Sequence, residues 1–389
     1  MEKLTPDDKP ICNFRKDNAE ALKRVFRTFS AWCNEQGLFG NELVAVDGTK
    51  IRANSSWKNI YTLSGAKTGL EKIDEKINRY MKELETNDAL EPSKHNPDSE
   101  AIILALERLN EKKTQLNNWL AILEQGEITE ISTVDPDARI MRQGGDGRAQ
   151  DACYNVRTVV DSKHKLIVDF ENSTCANDIG ALAKPMEGAK EIMGVTEIAV
   201  VADTGFYDGA DIKKCEDNGS VCYIAKRERR TRSPLPEYGK QYFSYDKAKD
   251  CYSCPQGTEL RFMRFSRNKE WTSKIYGNPK DCRECLFRKD CTTNKRGYRE
   301  IRRVPNQDTL DAVDVRMATA TGREFMSERR KIVEHPYGTV KKIWGYGSFL
   351  CRGLEKTTAE VSLTFLAYNL CRVYNICIAD GKNILKILA

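Results

Sequence analysis

No run of apolar residues in this chain approaches the ~20 needed to cross a bilayer as a helix, so a membrane span is not expected. The opening MEKLTPDDKP has no apolar core of signal-peptide kind. Internal repeats and low-complexity tracts are also missing, which removes solenoid and linker-type readings. Excess charge of one sign is small: the net +6 is too little by itself to argue for a nucleic-acid partner. What is present is an ordinary globular composition, 40% hydrophobic and 31% charged, in 389 residues. That length can bury a sizeable core and accommodates more than one unit. The expectation is a cytoplasmic protein. Fourteen cysteines without a secretory signal argue for buried thiols, with a metal site where they cluster, and against a disulfide scaffold.

Taken in order, residues 1–40 read as a helical lead-in, with Leu22, Val25, Phe26, Phe29 and Trp32 at core-facing helical spacing. Residues 41–54 hold a short apolar run, LVAV, that ends in Asp47. Residues 55–129 carry two apolar stripes, Leu70 to Leu84 and Ile102 to Leu123, which predict an antiparallel helical hairpin. Residues 130–225 alternate strand and helix patterns. Tyr154–Val160 and Lys165–Phe170 form a strand pair, a helix disturbed by Pro185 follows, and a fully apolar strand then ends at Asp203. Residues 226–320 are basic and Cys-rich. Residues 321–389 return to helices, the last opening on the capping-box pattern Thr357-x-x-Glu360.

Chemistry concentrates in three places. Asp47 and Asp203 each end a predicted central strand, where sites gather in α/β sheets and where a buried acid needs a cation. An Asp-Gly turn would explain Asp47 equally. Around Glu334, Arg330 lies four residues before and Lys341 seven after; on one continuous helix the three fall within roughly 40° of each other, at about 100° per residue. A solvated helix with ordinary charge pairs has the same spacing, and Pro336 together with Gly338 argues for a kink or a new start. Cys251-x-x-Cys254 and Cys282-x-x-Cys285, with Cys291 beyond, have the spacing of two zinc knuckles, while reduced structural thiols are the alternative. The basic run Lys226 to Arg232, with Arg227, Arg229 and Arg230, has the composition of a phosphate-backbone contact or of a solvated loop.

The ordered set VAVDGTKIRANSS, DPDARIMRQGG, YNVRTVVDSKHKLIVDF, VVADTGFYDG, the two Cys-x-x-Cys segments and VEHPYGTVKKIWGYGSFLCRGLEKTTAEVSLTFLAYNL resembles the DDE transposases of bacterial insertion sequences, in the group numbered eleven-eighty-two. The resemblance implies an α/β, ribonuclease-H-like mixed sheet flanked by helices, interrupted by the helical hairpin and by the Cys-rich, zinc-ribbon-like segment. It implies a carboxylate triad of Asp47, Asp203 and Glu334 holding two Mg²⁺ or Mn²⁺ ions. The family pattern Tyr-x₂-Arg-x₃-Glu-x₆-Lys fits at Arg330, Glu334 and Lys341, with Ser327 in the Tyr position. Relatives carry a helical DNA-binding region ahead of a segment like LTPDDKPICNFRKDN, on which this chain opens. A transposase lacking that region is therefore expected.

On this reading the metals activate water against a phosphodiester at the element's end, and the freed 3′-hydroxyl then attacks target DNA. Arg330 and Lys341 would hold the neighbouring phosphate. Trp344 would stack on an unpaired base or sit in the core. Double-stranded DNA is the expected partner, with self-association on it. Two other readings are a catalytically silent DNA-binding remnant and a ribonuclease-H-like nuclease without strand transfer.

Overall fold

The run Leu43-Val44-Ala45-Val46 is buried on both sides, as expected of a strand at the centre of a sheet covered on both faces. In the computed structural model, which describes residues 8–90, 97–143, 149–226, 234–267 and 272–381, it opens β1 (Leu43–Arg52). The other strands of this sheet are β2 (Arg139–Gln143), β3 (Ala149–Asp161), β4 (Ile167–Ser173), β5 (Ile198–Ala202) and β6 (Ser220–Ile224). β1 pairs with β5 in parallel and with β3 antiparallel, β5 pairs with β6 in parallel, and β4 and β2 both pair antiparallel with β3. The central path is therefore β4-β3-β1-β5-β6, in which β3 alone runs against β1, β4, β5 and β6.

Helices cover both faces. Val44 and Val46 join one apolar cluster with residues of α1 (Ala19–Glu35), α4 (Ala183–Met193), α5 (Gly209–Asp217) and α6 (Gln307–Met317). Leu43 and Ala45 join the cluster on the opposite face, with Ile332 and Val333 of α7 (Ala320–Tyr337) and Val361, Phe365 and Tyr368 of α8 (Leu354–Ala379). The alternation along β1 sends successive side chains to opposite layers. The hairpin, α2 (Leu63–Leu90) and α3 (Pro97–Glu124), has its own small core of Ile73, Leu116 and Leu123. Its antiparallel register is marked by Lys67–Glu124 at 3.3 Å and Lys113–Asp74 at 2.6 Å. Five antiparallel strands, β7 (Ser244–Asp246), β8 (Cys251–Ser253), β9 (Glu259–Arg267), β10 (Thr272–Gly277) and β11 (Glu300–Arg303), build a second sheet in the Cys-rich stretch.

Several local expectations are corrected. Val25 is 49% exposed on the outer side of α1, while Leu22 and Phe26 are buried. Pro185 falls in the first turn of α4, where its missing N–H is not needed, and the helix is undisturbed. The Thr357–Glu360 pair is no capping box, because α8 already begins at Leu354. Glu360 instead accepts the N–H groups of Leu350 (3.1 Å) and Cys351 (3.0 Å) in the preceding turn. Among the described residues α8 is long and apolar enough to cross a membrane by length and composition. Its inner face is spent on the sheet instead, where Asn369 bonds both the N–H (2.9 Å) and the carbonyl (2.8 Å) of Ile167.

Candidate active site

The parallel register places Ala45 beside Val201 and Val46 beside Ala202, so one step further Asp47 lies beside Asp203. Both face the side covered by α7. Asp47 continues a strand through Arg52, so the Asp-Gly turn is not formed. Gly48 donates its N–H to Asp47 Oδ1 at 2.9 Å, and Gly205 donates to Asp203 Oδ1 at 2.8 Å. A third carboxylate comes close. Asp178, in the loop after β4, stands so near Gly48 that an added Cβ would lie 2.9 Å from its Oδ1. The same test at Gly205 meets Asp203 Oδ1 at 2.9 Å and Asp178 Oδ2 at 3.5 Å. The two glycines thus leave room for Asp178 close by, where a side chain at either position would crowd it.

Asp178 is fixed by Arg157 Nε (2.8 Å) and Asn155 Nδ2 (2.8 Å), and buried Arg157 also reaches Glu171 at 3.1 Å. The cation that answers the other two acids is Arg329. Its Nη2 lies 3.4 Å from Asp47 Oδ1 and 3.6 Å from Asp203 Oδ2, and its Nε is buried without a hydrogen-bond partner. Burial raises the Asp47 carboxyl to about 6; Arg329 pulls the other way, and the neighbouring Asp203 and Asp178 add to the rise. From behind, the Tyr337 hydroxyl donates to the Asp47 carbonyl (2.8 Å) and pairs with Thr158 Oγ1 (2.8 Å).

Glu334 lies elsewhere. Its side chain is 70% exposed and meets only exposed Arg330, at 3.8 Å. Five residues along a helix from Arg329, it points about 140° away from that residue. α7 does not break at Pro336 but runs to Tyr337 and passes into a π-helical turn, Gly338–Ile343. This turn carries Lys341 inward, onto Thr49 Oγ1 (3.1 Å) and the Lys50 carbonyl (2.9 Å) of β1. Arg330 and Glu334 share an exposed face of α7, but Lys341 does not join them, because the α-helix gives way to the π turn before it. Trp344 is 40% exposed. Arg227, Arg229 and Arg230 lie outside the described residues. Arg323, Met326, Ser327, Arg329 and Arg330 line an open groove of about 420 Å³ on α7.

Arg329 and Asp178 escaped the sequence reading. Arg329 adjoins Arg330, and only the direction of α7 tells the two apart. Asp178 sits in a loop with no periodicity to mark it. Among the cysteines, Cys254, Cys282, Cys285 and Cys291 line one small cavity, whereas Cys251 does not. Cys251 is buried in β8, and its pairing there with Asp246 and Arg261 takes it out of the expected set.

Two hard carboxylates side by side, already answered by a cation, fit the ligand chemistry of Mg²⁺ or Mn²⁺. Among the described residues no three His, Cys, Asp or Glu side chains stand as a finished metal-holding group. Residues 253–374 match the family model described as transposase DDE domain. The match takes in β9 to β11, α6, α7 and most of α8, less than a third of the chain, and lies wholly after Asp47 and Asp203; over that stretch it supports a DDE transposase. No curated protein and no solved structure matches the chain.

Proposed function

We propose that this chain is a DNA transposase that cleaves and joins the ends of an insertion sequence, with Asp47 and Asp203 as its central metal ligands. The observation that carries the reading is their placement side by side on adjacent parallel strands, Asp47 midway along β1 and Asp203 just past the end of β5, against a basic groove. The strand path β4-β3-β1-β5-β6, with only its second strand reversed, supports a ribonuclease-H-like core. On that reading residues 41–54 and 130–225 supply its strands, residues 55–129 and 226–320 are insertions, and 321–389 close it.

Asp47 and Asp203 would hold divalent metal, with Asp178 close by as a third acid. Bound there, the metal would lower the pKa of a water and neutralise charge on the attacking and leaving oxygens of a phosphodiester. Arg329, whose Nη2 meets both carboxylates and whose Nε has no partner, would turn from the carboxylates to the phosphate when both arrive. Exposed Arg330 would extend the phosphate contact along the groove. Lys341, held on β1 two positions beyond Asp47, would place a fixed cation on the same face, and Tyr337 would keep the Asp47 backbone in place. Trp344 stays available for base stacking, and Glu334 joins the carboxylates only if the last turns of α7 rotate on DNA. Self-association on DNA belongs to the same proposal.

The test is Mn²⁺-dependent nicking and joining of DNA carrying the inverted repeats that flank the gene. Joined product from pre-cleaved ends is expected. Nicking without joining would favour a plain nuclease, and neither reaction would favour a silent remnant.

A further inference from the structure

The second sheet contains a polar arrangement that catalysis does not use. Cys254, Cys282, Cys285 and Cys291 converge, from the turn after β8 and from two short helices, on a cavity of about 30 Å³, otherwise lined largely by apolar groups such as Phe243 and Leu260. A space of that size suits a single small guest. Cys254 ends a tight turn: its Sγ accepts the Thr258 N–H at 3.3 Å, and Gly257 takes the positive φ of +83° that the turn needs. The Arg299 backbone N–H donates to the Cys282 thiol. Two sulfurs are thus already met by backbone donors.

The Arg299 side chain supplies the second, independent sign. It lines the same cavity at 8% exposure, and its Nε is buried without a partner. Its remaining described contacts are the Cys291 carbonyl (3.3 Å) and the ring of Phe243 (5.5 Å). No carboxylate pairs with it among the described residues. A buried guanidinium without counter-charge is costly, whereas four thiolates around a divalent ion are formally doubly negative and would balance it.

We propose that Cys254, Cys282, Cys285 and Cys291 bind one structural zinc ion, with Arg299 as its buried counter-cation and with Cys251 excluded. The thiols do not yet stand as a finished ligand group. Side-chain rotation would bring them to the Zn–S distance of ~2.3 Å. Bound metal would then tie the turn after β8 to the two short helices, Pro279–Glu284 and Arg288–Cys291, that precede β11.

The experiment is elemental analysis of the full-length protein purified without added metal, followed by Co²⁺ exchange. Wild type and Cys251→Ala should each hold about one zinc per chain and give the sulfur-to-cobalt charge-transfer absorption of four thiolates. Cys291→Ala should lose the zinc. Should that variant fail to fold, Cys291→His keeps a ligand and should retain zinc, with a shifted Co²⁺ spectrum. Folded wild type without zinc, or loss of zinc from Cys251→Ala but not from Cys291→Ala, overturns the proposal. None of these readouts depends on DNA cleavage.

Discussion

Arg329 stands 3.4 Å from Asp47 and 3.6 Å from Asp203, occupying with one guanidinium the place between them that a divalent cation would take. Cation and metal then compete for the same two carboxylates. Arg329→Gln should raise affinity for Mn²⁺, measured by calorimetry at pH 8, by about tenfold, a modest share of the several kcal/mol that a charge pair is worth at this separation near a protein surface. The same variant should lose cleavage, because the phosphate contact goes with it. Unchanged metal affinity would show that Arg329 and metal do not share a site.

Asp47 titrates near 6, above its usual value of 3.8, because it is buried. The folded state therefore holds its proton more tightly than the unfolded chain, and this contribution to stability falls as pH rises from about 4 to about 6. A shift of that size corresponds to about 3 kcal/mol. Asp47→Asn should accordingly stabilise the metal-free protein above pH 6 and leave its stability nearly unchanged below pH 4, as read by denaturant unfolding. Metal must displace the same proton, so Mn²⁺ affinity should climb through pH 5–6 and level off above it.

Asp47→Asn and Asp203→Asn should each abolish Mn²⁺ binding by the free protein and DNA nicking with it. Glu334→Gln should change metal affinity of the free protein by less than about twofold, since an exposed carboxylate outside the pair contributes little. A loss from Glu334→Gln equal to that from Asp47→Asn would place Glu334 at the metal in solution.

Tyr337→Phe removes a buried hydroxyl that joins Thr158 Oγ1 to the Asp47 carbonyl. Leaving both groups short of a partner should cost about 1–3 kcal/mol in thermal or denaturant unfolding. Metal affinity should fall as well, because Asp47 loses a tether. A variant as stable as wild type would show that water replaces the hydroxyl.

The carboxylate pair was legible in the sequence because strands announce themselves. LVAV and IAVVA are apolar on both faces, and an acid directly after such a run has little freedom about where it ends. Helical neighbours are harder. Arg329 and Arg330 differ by one position, about 100° of rotation, and burial of Ile332, Val333 and Pro336 decides which one faces the sheet. The cysteines failed for a related reason. Cys-x-x-Cys is read as one knuckle, yet Cys251 is committed to β8 and Cys254 to the turn after it, so the two thiols part company. Asp178 had no pattern at all: a loop residue is placed by its partners, Arg157 and Asn155, which lie on β3 far upstream.

The π-helical turn at Gly338–Ile343 also makes the length of this segment a selectable quantity. A π turn holds one residue more than the α turn it replaces, so deleting a single residue there would leave an unbroken α-helix with no gap to close. Lys341 lies inside that turn, so the tighter winding would swing it off Thr49 and Lys50. Here the chain tolerates substitution more readily than a change in length.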